Sequence, residues 1–162
     1  MTNMARRPLT LALVVALVVV AAATSWFGYR YSEHRTADRT RTEAVAAARQ
    51  AMKNFMEVNP GSLDEDLQRV ADAATGDFKS EFERDRPKLK KAYADKKIEA
   101  HGDVLAAAVD SKGSDGDSVR VLLVVDQNVK SGSASQLRHY RIQLDMASEN
   151  DRWLVSTLSF VS

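Results

Sequence analysis

Residues Ser118–Ala147 read SVRVLLVVDQNVKSGSASQLRHYRIQLDMA, and the alternation within them decides the fold. Val119, Val121, Leu123 and Val125 recur at every second residue, the period that sends side chains to one face of a strand. Leu122 and Val124 add apolar weight to the opposite face, so this strand is expected to be central and covered on both sides. A Lys-Ser-Gly-Ser-Ala-Ser segment from Lys130 to Ser135 follows, with the composition of a turn. Beyond it Tyr140, Ile142, Leu144 and Met146 alternate with His139, Arg141, Gln143 and Asp145, one set inward and the other outward.

Working outward, four strand-like stretches occupy Ile98–Asp110, Ser118–Asn128, Gln136–Ala147 and Arg152–Ser162, with Ser111 to Asp117 expected as a glycine-containing loop. In the last stretch Leu154, Leu158 and Phe160 are expected on one face, and Trp153 and Val155 on the other. The segment before Ile98 has a different period. Val45, Ala48, Met52 and Phe55 are spaced by three and four residues, which places them on one helical face. Asn59-Pro60-Gly61 breaks that helix. Ser62 and Glu65 form a Ser-x-x-Glu capping pattern for a second helix with Leu63, Leu67, Val70, Ala71 and Ala74 along its stripe. Thr75-Gly76 is expected to close it, with Gly76 as C-cap and Asp77 as N-cap of a third helix carrying Phe78, Phe82, Leu89 and Tyr93. Pro87 inside that third pattern predicts a kink or two short helices. Helices first and then four consecutive strands predict an α+β domain, with helices packed on a four-stranded antiparallel sheet. That order is shown by cone-like folds of the cystatin-like and nuclear-transport-factor-2-like kinds.

The N-terminus sets the topology. Leu9 to Tyr29 is an apolar run without a charge, and 21 residues of helix rise about 30 Å, the thickness of a bilayer's hydrocarbon core. Arg6 and Arg7 precede it, and Trp26, Phe27 and Tyr29 close it at the level where amphipathic rings favour the interface. A cleaved signal ending at Ala21-Ala22-Ala23 is the competing reading, but the apolar run continues past the alanines. The expected organisation is a cytoplasmic N-terminus (1–8), a transmembrane helix (9–29), a stalk and first helix (30–58), and an exported domain (59–162). Arg30, Arg35, Arg39 and Arg41 after the run leave the charge rule undecided, and translocation of the long C-terminal part favours N-terminus inside.

Composition narrows the chemistry. The chain holds 23 Lys and Arg against 22 Asp and Glu, and three of the arginines lie in the acid-free first 31 residues. The remainder is slightly acidic, with no electrostatic footprint for nucleic acid. With no cysteine, thiolate metal sites, disulfides and cysteine nucleophiles are excluded together. Asp126, His101, Tyr93 and Tyr140 are the candidates for acid–base chemistry, but Asp126 faces away from Val125 and reads as a strand-end acid. His34, His101 and His139 lack a ligand companion at three- or four-residue spacing. Asp110, Asp115 and Asp117 surround glycines without the spaced acids of an EF-hand. No catalytic, cofactor-binding or metal residue is assigned. Eight Lys or Arg from Lys79 to Lys97, among four acids, could meet anionic headgroups or an acidic partner, but read first as a solvated helix face.

Several motifs in this order resemble the actinobacterial Mce-associated membrane proteins, single-pass accessory proteins of the mammalian-cell-entry (Mce) lipid importers. They are Leu-Asp-Glu-Asp-Leu at Leu63–Leu67, Ala-Thr-Gly-Asp-Phe at Ala74–Phe78, Val-Val-Asp at Val124–Asp126, and Arg-Trp-Leu-Val-Ser at Arg152–Ser156. Gly76, Asp77, Phe78, Asp126 and Trp153 are the motif positions, and each also has a plain packing or capping role. The resemblance implies a non-enzymatic, membrane-anchored accessory protein whose partners are Mce transporter subunits or related envelope proteins. Two alternatives stay open. The inner face of Val121, Leu123, Tyr140, Ile142 and Leu144 could hold a lipid, or the chain could be a scaffold component of a secretion-type envelope machine.

Overall fold

The computed structural model describes residues 39–115 and 117–161. The expected transmembrane helix at 9–29, with Arg6, Arg7, Trp26, Phe27 and Tyr29, lies outside the described residues. Among the described residues no helix is long and apolar enough to cross a membrane. From Arg41 onward the chain forms one compact unit. Three helices, α1 (39–56), α2 (Leu63–Asp72) and α3 (Gly76–Asp95), precede four strands. These are β1 (Ile98–Asp115), β2 (Ser118–Ser131), β3 (Ala134–Glu149) and β4 (Arg152–Phe160), in one antiparallel sheet of order β1-β2-β3-β4. The expected helices on a four-stranded antiparallel sheet are thus observed.

The strands run longer than their composition suggested, because the connections are short. Asp115 pairs with Ser118 and Ser131 with Ala134, so the strands reach into both expected loops. Gly132 takes φ of 61° in the second. At the β3–β4 turn both Asn150 (φ 50°) and Asp151 (φ 60°) are left-handed, the geometry that matches a hairpin's twist.

The core lies on one face of the sheet. Val119, Val121, Leu123 and Val125 are buried there beside Ile142, Leu144 and Met146, and α1 covers them with Ala44, Ala48, Met52 and Met56. The helix thus presents an i, i+4 row, with Val45 and Phe55 at its margins. A second cluster joins α2 and α3 to the start of β1 through Leu63, Leu67, Val70, Phe82 and Ala100. Phe78 ties the two together: its ring lies 6.3 Å from both Phe55 and Phe82.

Four expectations change. First, β2 is covered on one side only: Leu122 and Val124 are each 41% exposed, because all three helices pack on the opposite face. Second, a bulge at Ser156 shifts the phase of β4. Val155 pairs with Met146 but Leu158 with Leu144 and Phe160 with Ile142, so Trp153, Val155, Leu158 and Phe160 share the inner face and Leu154 takes the other. Third, α2 ends at Asp72, and Gly76 opens α3 at φ 56° instead of capping α2. Thr75 is the N-cap, and Asp77 sits in the first turn, where its charge meets the positive end of the helix. Fourth, α3 runs through Pro87 as one helix and not as two short ones.

Ser62 is the N-cap of α2 as expected, but its side chain makes no capping bond to the backbone. Its hydroxyl donates to Asp66 Oδ1 (3.0 Å), and the Asn59 amide donates to Asp66 Oδ2 (2.7 Å). Asp66 is 2% exposed and also pairs with Arg69 at 2.5 Å. A buried carboxylate therefore ties the 59–62 turn to α2, each donor offsetting its desolvation.

Candidate functional site

The register lays the outer face of the sheet out in rows. Ala108, Leu122 and Gln143 form one row; Ala106, Val124 and Arg141 form the next. These small and branched side chains floor a groove of about 300 Å³, which Val161 closes at the β4 side. Leu105, extruded by a bulge between Val104 and Ala106, stands 59% exposed at its β1 edge. The sequence placed apolar residues here, but read them as covered, since alternation reports polarity and not what lies above it.

Charged rows bound the groove at both ends. On one side Arg120 sits between Asp110 and Asp145, donating to Asp145 Oδ1 from Nε (2.7 Å) and to Oδ2 from a terminal nitrogen (3.2 Å). This paired carboxylate raises the guanidinium pKa further. On the other side Asp103, Asp126 and His139 line up, with His139 Nδ1 2.5 Å from Asp126 Oδ1. Asp126 is thus hydrogen-bonded to the His139 ring, on the face away from Val125. Arg141 and Asp103 carry no side-chain partner among the described residues.

A second depression, of about 280 Å³, lies between α1, the end of α2 and the start of β4. Gln50, Asn54, Arg69, Arg152 and Trp153 line it. Trp153 packs its apolar body on the core, and Arg152 donates to the Asp72 carbonyl at 3.2 Å. The motif positions are thus dispersed: Gly76, Asp77 and Phe78 begin α3, Trp153 borders this depression, and Asp126 is on the outer sheet face.

The acid–base candidates do not meet in one cavity. Tyr93 packs in the α2–α3 cluster, where burial pushes its phenol up from 10. Tyr140 lies against Phe160 with ring centres 5.5 Å apart and planes tilted by 59°. His101 is exposed, 3.9 Å from Glu57. Asp110 accepts from the Lys112 amide, and no group of three or more ligand-type residues that could hold a metal occurs among the described residues. The basic stretch of α3 is partly satisfied: Lys90 pairs with Asp64, Lys88 with Asp85, and Arg86 donates to Gln68. Between helices and sheet, the inner face once open to a lipid is filled by α1. Among the described residues, the cavity left beneath α1, beside Met52, Phe55, Phe78 and Leu144, is about 10 Å³, close to the space of a single water.

The sequence model of a family described as "Uncharacterized protein Rv1363c/MT1408-like" matches residues 8–162. Uncharacterized protein Rv1363c of Mycobacterium tuberculosis is 26% identical over 155 residues, 94% of this chain. The chain spans 59% of the length of that curated relative. Among solved structures, an IcmL-like type IV secretion system protein from Legionella pneumophila superposes with a TM-score of 0.61 at 10% identity, covering 75% of this chain and 91% of the other. The periplasmic domain of DotI gives 0.60 at 16% identity, with 72% and 91% covered. CagV, a VirB8 homolog of the Helicobacter pylori type IV secretion system, gives 0.54 at 11%, with 72% and 97% covered. At these identities the likeness is one of fold.

Proposed function

We propose that this chain, which belongs to the Rv1363c/MT1408-like family, is a non-enzymatic scaffold component of an envelope machine, held at the cytoplasmic membrane by residues 9–29. The N-terminus is inside and the α+β domain outside. One observation carries the reading: among the described residues the space between α1 and the sheet is filled, and the other sheet face is apolar. A cavity of about 10 Å³ accommodates no acyl chain or substrate, whereas Leu122, Val124, Ala106 and Ala108 leave an apolar groove in contact with water. A protein built this way interacts through its surface. Two type IV secretion system proteins and the periplasmic domain of DotI share this fold, which supports an envelope assembly as the setting.

An Mce-type lipid importer is the particular machine that the motifs at 63–67, 74–78, 124–126 and 152–156 favour. The anchor raises the domain's local concentration at such a partner without adding a contact. Affinity purification of the tagged full-length protein from native membranes in mild detergent tests both levels. Mce substrate-binding and permease subunits among the bound proteins would support the importer. Secretion-type subunits would keep the scaffold and exclude the importer; a result equal to an anchor-only control would overturn the scaffold.

A further inference from the structure

We propose that the outer sheet face docks a second copy of this chain, two β2 strands packing across a two-fold axis. This rests on reading that face as a docking surface, and names its occupant. The reason is the pattern of charge. Arg120 and Asp126 sit on β2 at the two ends of the apolar stretch, and each already has a side-chain partner on its own sheet: Asp145 for Arg120, and the His139 ring for Asp126. Two charges beside the groove remain unmatched among the described residues, and they have opposite sign: Arg141 on β3 and Asp103 on β1.

Their positions are self-complementary. Strands lie about 4.8 Å apart, so Arg141 and Asp103 stand about one strand spacing to either side of β2. Their rows are adjacent: Arg141 is level with Val124, and Asp103 with Asp126. A two-fold axis along β2 exchanges the β1 and β3 sides. It carries Arg141 of each copy over the β1 side of the other, within an arginine's reach of Asp103. Both pairs form at once, as an isologous contact requires. Leu122 and Val124 of the two copies then meet at the centre, at the roughly 10 Å separation of packed sheets. Small Ala106 and Ala108 beside them leave the recess that admits the facing side chains. A partner of other sequence would need only one of these charges; a second copy uses both.

The chain has no cysteine, so Val124→Cys introduces a single thiol close to the proposed axis. The full-length variant, in native membranes, is treated with a short bis-maleimide, whose span suits thiols on facing sheets about 10 Å apart where a direct disulfide would not reach, and run on a denaturing gel. The expected product is a cross-linked species of twice the chain's mass. Adding Arg141→Asp or Asp103→Arg is expected to lower its yield about tenfold, since two attractions become two repulsions. Combining both reversals in one chain, or co-expressing the two single-reversal chains, is expected to restore it. Both positions are on the surface, and unchanged membrane abundance of each variant excludes misfolding as the cause. Self-linkage insensitive to the reversals would overturn the proposal. Linkage to a protein of another size would overturn the second copy while leaving the docking face; no linkage at all would remove both.

Discussion

Gly102→Ala probes the joint on which α1 is seated. Gly102 is buried in β1, and a Cβ there would lie 2.7 Å from both Cβ and Sδ of Met56, and 3.1 Å from the Asp126 carbonyl oxygen. Met56 cannot swing aside: it is 2% exposed, and its own Cβ is fixed to the helix backbone. Gln127 Nε2 donates to the Met56 carbonyl at 2.9 Å, and Val58 and Ala100 exchange backbone bonds of 2.9 and 2.8 Å just beyond. A methyl group must therefore lift the end of α1 against all three bonds. Overpacking of this kind costs about 1–3 kcal/mol, and replacing glycine returns roughly 0.4–1 kcal/mol by stiffening the unfolded chain. The net expectation is a loss of about 1–2 kcal/mol, or roughly 4–8 °C in the midpoint for a domain of this size. Thermal and urea unfolding of the full-length protein in detergent, followed by the sheet's circular dichroism, measures it. A midpoint equal to or above that of the parent would refute the packing described at this joint.

Gly76→Ala meets no crowding, its nearest neighbour being Ser156 Cβ at 3.9 Å, so only the positive φ of 56° opposes it. Urea titration should show a loss of about 1–2 kcal/mol, smaller for Gly76→Asn, which tolerates that conformation. Asp66→Ala strands the Asn59 amide and frees Arg69, and the same titration should give a loss of about 2–3 kcal/mol, with Asp72→Ala as a near-neutral control. Burial raises Tyr93 above its unfolded value of 10, so above that pH the unfolded chain releases its proton first. The folded state then holds more protons, stability falls as pH rises beyond 10, and Tyr93→Phe should flatten the decline of the unfolding midpoint between about pH 9.5 and 11.

The inner half of the domain was legible because burial and period agree there. Val119 to Val125 and Tyr140 to Met146 show their alternation directly, and α1, α2 and α3 carry apolar stripes at helical spacing. The outer half was not. Leu122 and Val124 look the same in sequence whether a second layer covers them or water does, and the helices among the described residues all pack on the other side. Bulges defeat alternation for a separate reason: an extra residue at Leu105 or Ser156 leaves no mark in composition, yet reverses the faces of everything after it. Leu158 and Phe160 were misplaced on that account. Asp66 did leave a signal. It falls between Leu63 and Leu67 on the apolar stripe of α2, where an acid is out of place unless it is bonded. The capping pattern at Ser62 and Glu65 drew attention from it. The charges that bracket the groove could not be paired from sequence, since Arg120 with Asp145 and Asp126 with His139 depend on the β2–β3 register.

The most direct test of the scaffold assignment is the size of the assembly that holds the protein. Native membranes solubilised in mild detergent are resolved on a non-denaturing gel, and the tagged full-length chain is located by its tag. The expected result is migration with a large multi-subunit membrane complex, well above a pair of 17.9 kDa chains in detergent. Migration at the size of one or two chains, in membranes where envelope machines remain intact, would contradict it.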